Sequence, residues 1–484
     1  MVEEPRKKEI RQTGFTGVGV GPPRQSTFAE FEKGRPTGPF APTAQAPVNM
    51  PPPPMSRREP IAVTAGLTSP SETWKWNPSF VLRGFQREAL DAFLRKQKGS
   101  IILPTGSGKT VIAARAIFTL AMPTVVVVPS LVLVDQWQKD LKEYANIDAG
   151  TYYGGEKAPS FVTISTYQTL FRYPQVIRQF PVVIFDEGDL SSAGDLNRGA
   201  GFFAVMDEAA LPEHKFVMVI TATPPTDSQR KAYMQRIVPV IYAMSIQEGQ
   251  ELGALAPLTI LPIGINLTPE EAQVYDEIEE RLKKLSMTLR TSNPSDWAKL
   301  THSSDEAVRR AAYSALKEFS RRRQLLAHAE NKDVVVYNIA RMNPDQRILV
   351  FSEAVDALDR LKTYLGQHGV RMETITGGTP RDERRRIVEG FGKTFNVLGS
   401  VRVLERGYNV PSVAIGVLLA SGRGATQITQ RIGRILRPMP GKQAKLYVVY
   451  ARGTIEANLP GRVREVIRGE HIPFVESEKE EEFF

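Results

Sequence analysis

The sequence predicts an α/β chain with two doubly wound parallel sheets. Three observations carry this: short, wholly apolar runs recur along the chain, longer amphipathic stretches alternate with them, and the length suits more than one core. At 484 residues the chain matches roughly two or three domains. The first set of runs is Ile101–Leu103, Val125–Val128, Val162–Ile164, Val182–Phe185 and Phe216–Ile220. Each is too short for a helix and reads as a parallel strand buried on both faces. A second set follows at Ile348–Phe351, Val397–Leu398, Ile415–Leu418 and Leu446–Tyr450, again with helical connections.

Between the two sets, Leu267 to Met342 is rich in Glu, Lys, Arg, Ala and Leu and lacks a strand-like run. It is expected to be a helical insertion. The first sixty residues hold twelve Pro, Pro51 to Pro54 among them, and have no apolar periodicity. They read as a disordered arm. The opposite end, ESEKEEEFF, sets five Glu against one Lys. The expected layout is therefore a Pro-rich arm over 1–75, a first domain over 76–246, a second over 247–465 containing the insertion at 268–342, and an acidic tail over 466–484.

Composition narrows the chemistry. With no Cys, disulfides, Cys-ligated metals and a thiol nucleophile are excluded, and five scattered His argue against a His-based metal site. No run of about 18 apolar residues occurs, and the opening MVEEPRKKEI has no apolar core of the signal-peptide kind, so the expectation is a cytoplasmic protein with no membrane contact. Sixty-two basic against fifty-three acidic residues leave +9, a modest excess that suits a polyanion.

The sharpest local signal is Pro104-Thr105-Gly106-Ser107-Gly108-Lys109-Thr110, which follows an apolar run and precedes the helical VIAARAIFTLA. In a strand–loop–helix of this kind, Gly106 and Gly108 let main-chain N–H groups approach a phosphate chain. Lys109 reaches the terminal phosphates and the Thr110 hydroxyl ligates magnesium. The strict pattern has Gly where this chain has Leu103. A partner appears about 75 residues later, where Val182–Phe185 ends in Asp186, Glu187, Gly188 and Asp189. Strand ends are where α/β folds place ligands; Asp186 suits a contact to magnesium and Glu187 the base that orients the attacking water.

Taken together, these and further segments resemble the superfamily 2 helicases and translocases from about Leu82 to Arg452. LRGFQREAL resembles the adenine-reading glutamine motif, with Arg83 and Gln86. PTGSGKT and DEGD resemble motifs I and II. VVVPSLVLVDQW and VTISTYQTL resemble strand-contacting motifs, and Thr221-Ala222-Thr223 the segment that couples hydrolysis to domain movement. ILVFSE, ITGGTPRDER, VLERGYNVPSV and QRIGRILR follow in the order of motifs IV to VI. The resemblance implies two RecA-like domains, ATP and Mg2+ as cofactors, and 3′ to 5′ movement on DNA.

By the same resemblance, Lys109, Asp186, Glu187, Gln430, Arg434 and Arg437 are the expected catalytic set. Arg83, Gln86, Thr105 to Thr110, Gly407 and Asn409 are expected to bind ATP, with Thr110 and Asp186 at the metal. Ser130, Thr166, Gly377, Gly378 and Thr379 are expected on the nucleic acid, and Asp189, Thr221 and Thr223 in coupling. Further positive charge comes from Arg309-Arg310, Arg321 to Arg323, Arg381 and Arg384 to Arg386, read either as duplex contacts or as solvated helix faces.

LTPEEAQVY, SRRRQLLAHAENK and the fourth motif resemble the XPB and UvsW type of DNA helicase. Two departures stand out: Asp189 where that type usually has His, and Asn409 where Asp is common. The expected partner is DNA, single-stranded, forked or branched. RNA as the track stays open, as does a motor subunit switched by a protein partner through the arm or the tail.

Overall fold

The computed structural model describes residues 73–189, 194–195, 200–212, 214–225, 227–401, 413–419, 425–436 and 441–469. Residues 1–72 of the N-terminal arm, residues 470–484 of the acidic tail, and Gly407, Asn409 and Arg437 lie outside the described residues.

The first sheet is centred on strands that are buried along their whole length. β1 (Lys98–Ile102) is followed through the phosphate loop by α2 (Lys109–Leu120), with α1 (Gly84–Lys96) before it. β2 (Thr124–Val128), α3 (Leu131–Ala145), the hairpin of β3 (Gly150–Tyr153) and β4 (Glu156–Ala158), β5 (Val162–Thr166), α4 (Tyr167–Arg172) and β6 (Val182–Asp186) come next. A two-stranded ribbon of β7 (Gly194–Asp195) and β8 (Ala200–Gly201) precedes α5 (Phe203–Ala209), β9 (Phe216–Thr221), α6 (Ser228–Ile237) and β10 (Val240–Ala243). The order across the sheet is β10-β1-β9-β6-β2-β5-β3-β4. Pairing is parallel throughout except at the β3–β4 hairpin. In β2, β5 and β6 every residue is buried, because helices cover both faces and β-branched side chains fill the space between.

After α7 (Ile246–Glu251) the chain enters the second sheet at β11 (Leu258–Ile265). Four helices follow, α8 (Pro269–Leu289), α9 (Pro294–Leu300), α10 (Glu306–Ala327) and α11 (Asn331–Met342). Then come β12 (Ile348–Phe351), α12 (Val355–Gln367), β13 (Met372–Ile375), α13 (Arg381–Gly390), β14 (Val397–Ser400), β15 (Ile415–Leu418), α14 (Ala425–Ile435), β16 (Ala444–Ala451) and α15 (Leu459–Arg468). The order β11-β16-β15-β12-β14-β13 is parallel at every pair. Pro262 sits inside β11, which is tolerated because β11 is an edge and the missing N–H leaves no inner ladder broken.

The helical stretch divides its packing. Ile278, Leu282, Leu289, Trp297, Ala312 and Ala315 of α8 to α10 form a core of their own. Val336 and Ile339 of α11 instead join the core of the second sheet. Ahead of α1, Trp74 and Trp76 pack onto the first domain: Trp74 meets Phe161 edge-on, and Trp76 lies against Phe118 and Tyr144 under the Arg115 guanidinium. Among the described residues no helix is long and apolar enough to cross a membrane.

One buried charge ties the helical stretch to the second sheet. Lys332 is 1% exposed, and its Nζ donates to the carbonyls of Leu326 and Leu419, each at 2.7 Å, and to both oxygens of Glu456. Glu456 in turn accepts from the Ala451 N–H. The end of α10, the end of β15 and the segment after β16 therefore meet at one ammonium. Removing one partner of such a pair leaves an uncompensated buried charge. Lys332→Met is expected to lower the unfolding free energy by about 3–5 kcal/mol, read by chemical denaturation. A loss under about 1 kcal/mol, the scale of an exposed pair, would show that the ammonium is not holding these segments.

Candidate nucleotide site and strand-contact segments

The carboxyl ends of β1, β6 and β9 are neighbours, and the expected nucleotide residues sit on the turns that leave them. Gly106 and Gly108 have φ of 91° and 87°, the left-handed region that glycine enters without strain. Gly108 is also the N-cap residue of α2, so the helix begins where its main-chain donors face the loop. Within the loop, Ser107 is buried and donates its hydroxyl to the Pro104 carbonyl, while Lys109 Nζ donates to the carbonyls of Leu103 and Pro104 at 3.0 and 3.3 Å. Thr105 and Thr110 flank these groups, half-buried.

Gln86 is buried beneath this turn. Its Nε2 donates to the Ser107 carbonyl at 2.9 Å, and its Oε1 accepts the Arg83 N–H that opens α1. A Cβ on Gly108 would lie 2.5 Å from that amide. The glutamine thus supports the phosphate loop from below. Arg83 is exposed and donates to the Ala254 carbonyl at 3.2 Å, in the connection between the sheets.

Asp186 terminates β6 and is buried. Trp137 Nε1 donates to its Oδ2 at 2.8 Å, and the Glu187 N–H donates to its Oδ1 at 2.9 Å. Burial, and then the charge of Glu187, push the Asp186 carboxyl up from its ordinary value to about 6, against the opposing pull of Trp137 and of the Lys109 ammonium. A carboxylate so placed is short of positive charge, which is the environment a bound cation relieves. Glu187 has φ of 50°, a conformation non-glycine residues seldom adopt, and its buried Oε2 has no hydrogen-bond partner among the described residues. Together with the Thr110 hydroxyl, the donor set is all oxygen, fitting magnesium.

Asp189 answers the departure noted in the sequence. Its Oδ1 accepts from the Thr221 hydroxyl at 3.3 Å, and Thr221 Oγ1 accepts from the Thr223 N–H at 3.0 Å. The Leu103 N–H donates to the Thr221 carbonyl. The end of β6, the end of β9 and the start of the phosphate loop are connected by this chain of bonds.

The second domain reaches the same loop through α14. A Cβ on Gly433 would lie 2.4 Å from Thr105 Cβ, so only a glycine permits this approach. Arg434 is the next residue of that helix. Gln430, one turn back, is buried with its Nε2 unpartnered among the described residues. The Ala256 N–H donates to the Leu436 carbonyl at 3.0 Å, joining the connection to the end of the helix.

Of the expected strand contacts, Ser130 is the N-cap residue of α3 but its side chain makes no capping bond. Thr166 is buried, and its hydroxyl accepts from the Thr169 N–H as the cap of α4. Gly377 and Gly378 are exposed, and the loop they form is braced by Arg384, which donates to the carbonyls of Thr376 and Thr379 at 3.2 and 2.9 Å. Several of the cations offered as duplex contacts are engaged at home: Arg309 with the Ser303 carbonyl, Arg310 with Glu306, Arg321 with Glu318, Arg322 with Glu279, Arg323 with Glu353 and Arg385 with Glu389. Three of these pairs stand at i,i+3 or i,i+4 helical spacing, whereas the partners of Arg322 and Arg323 and the part played by Trp137 lie on other elements and leave no sign in the sequence.

Residues 79–226 match the family described as type III restriction enzyme, res subunit, and residues 330–439 match the helicase conserved C-terminal domain. The DNA 3′-5′ translocase XPB2 of Sulfurisphaera tokodaii is 29% identical over 79% of this chain and 84% of its own length. The two matched segments are the paired domains of a superfamily 2 helicase, and the chain is most like the XPB type of DNA helicase. The DNA 3′-5′ helicase XPB of Mycobacterium tuberculosis is 25% identical over 78% of this chain and 62% of its own length. In the XPB subunit of general transcription and DNA repair factor IIH from Schizosaccharomyces pombe the match spans 42% of the relative, so the chain covers less than two thirds of several of these proteins. The Hef helicase domain of Pyrococcus furiosus superposes with a TM-score of 0.53 at 18% identity over 79% of this chain and 98% of that one, which shows the shared RecA-like fold.

The approach of α14 to the phosphate loop gives a direct test. Gly433→Ala places a methyl group on Thr105, forces the helix away, and is expected to lower the ATPase kcat by about 100-fold, the scale of a misplaced catalytic group, while nucleotide affinity changes by much less. Unaltered kcat would show that the contact is not needed for turnover.

Proposed function

We propose that the chain is an ATP-dependent DNA helicase or translocase moving 3′ to 5′. The single observation that carries the reading is the seat of Gly433 on Thr105, because it brings a helix of the second domain to the phosphate loop of the first. Neither half-site is complete alone. The first domain supplies the phosphate cradle, a carboxylate for magnesium and a second carboxylate at the end of β6. Charge that builds on the transferring phosphoryl group needs cations from outside, and Arg434 and Arg437 are assigned that role.

Magnesium, when bound, neutralises phosphate charge; Thr110 and Asp186 would hold it. The residues of the chain do the rest. Lys109 binds the terminal phosphates, and Glu187, with its unpartnered Oε2, takes the proton of the attacking water. Gln430 fixes the position of that water or of the phosphate edge. Loss of the γ-phosphate removes the group both domains share, and the cleft opens. Ser130, Thr166, Gly377, Gly378 and Thr379 are assigned to the strand, contacted through main-chain and hydroxyl groups because a motor must not depend on sequence.

The DNA track is favoured over RNA by the relatives named as acting on DNA, with a role in repair or recombination. The motor-subunit reading remains the second, since one relative is part of a larger factor. The ATPase rate with single-stranded DNA, forked DNA, a four-way junction and RNA separates them. Stimulation by DNA above RNA is expected, and Glu187→Gln is expected to lower the stimulated rate by about 100-fold or more. Stimulation by RNA alone would overturn the DNA assignment.

A further inference from the structure

Asp186 has two donors that the chemistry at the nucleotide does not require. Trp137, 1% exposed, donates its indole N–H to the carboxylate at 2.8 Å. Tyr167, fully buried, donates its hydroxyl to the Asp186 main-chain carbonyl at 3.1 Å and stacks on Phe185. The two donors come from different helices. Trp137 lies two turns into α3, the helix that starts at Ser130. Tyr167 is the first residue of α4, directly after Thr166. Both helices thus begin at a segment assigned to the strand, and each places one polar aromatic tip on the residue assigned to the metal.

We infer that Trp137 and Tyr167 are positioning residues that couple the strand-contact segments to the metal carboxylate, so that occupancy of the strand site is read at Asp186. This rests on the motor reading given above. An indole N–H is a donor only, so it holds one lone pair of Oδ2 and leaves the other oxygen positions for a cation. The Glu187 N–H fixes Oδ1 from the other side. A carboxylate pinned by donors on two elements follows whichever element moves, and α3 is packed along its length by Leu133, Val134, Leu141 and Ala145, so a displacement at Ser130 is carried to Trp137 instead of being absorbed between them. Coupling of this kind is reciprocal: a strand that shifts α3 or α4 alters metal affinity, and bound metal alters strand affinity.

A buried tryptophan or tyrosine normally finds some hydrogen-bond acceptor, so the test has to separate coupling from simple satisfaction. The full chain, Trp137→Phe and Tyr167→Phe are compared in three measurements. The first is the ratio of ATPase rates with and without a saturating single-stranded oligodeoxynucleotide. The second is Mn2+ affinity in the presence of ADP, read by electron paramagnetic resonance with and without the same oligonucleotide. The third is oligonucleotide affinity in the absence of divalent metal, by fluorescence anisotropy.

In the unmodified chain the strand is expected to raise the rate and shift Mn2+ affinity. Both variants are expected to lose about tenfold of that stimulation and most of the Mn2+ shift, with strand affinity within about twofold of the original. Variants that keep both responses, or that lose strand affinity instead, overturn the inference and leave the motor reading standing. An unmodified chain that responds to no nucleic acid overturns the motor reading, and this inference with it. Tyr167→Phe removes one oxygen and keeps the ring stack, so it decides the matter if Trp137→Phe fails to fold.

Discussion

A carboxylate at the end of a buried strand has to be met by donors, and the first domain is arranged around that need at Asp186. β6 runs through the middle of its sheet, between β9 and β2, so its carboxyl end is enclosed on both sides. The donors arrive from α3 and from the turn after the strand. With Glu187 beside it, the site concentrates negative charge where water is excluded, and in such surroundings a cation gains more than it would at the surface. The same geometry makes the site sensitive to the helices around it.

The second requirement is a contact between the two sheets. Gly433 on Thr105, Arg83 on the Ala254 carbonyl and the Ala256 N–H on Leu436 lie on a short stretch between the domains. Ala254 belongs to the first core and Leu255 to the second. With Met244 in the first core and Ile246 in the second as well, this stretch is anchored in both apolar interiors.

The central strands were legible from sequence because burial on both faces leaves an unbroken apolar run, as in Val125–Val128 and Val182–Phe185. The strands without such a run, β3, β4, β10, β11 and β13, are at or near edges or are partly exposed. β1 begins three residues before its apolar run, at Lys98, because Ser100 satisfies its hydroxyl on the Val238 carbonyl and can be buried. The phosphate loop was legible because its residues are consecutive. The bond from Trp137 to Asp186 crosses 49 positions and leaves no local trace, and the same is true of the glycine at 433, whose need appears only when Thr105 is set against it. The arginine clusters stayed open to two readings for a related reason: composition counts charges, while the Glu279 partner of Arg322 is supplied only by the fold.

In the proposed coupling, the nucleotide site and the strand segments share the Asp186 carboxylate. Hydrogen–deuterium exchange on the full chain, with and without Mg2+ and a non-hydrolysable ATP analogue and with no nucleic acid present, tests it most directly. The account predicts altered exchange at the starts of α3 and α4, near Ser130 and Thr166, in addition to the phosphate loop. Changes confined to the phosphate loop and α14 would contradict it.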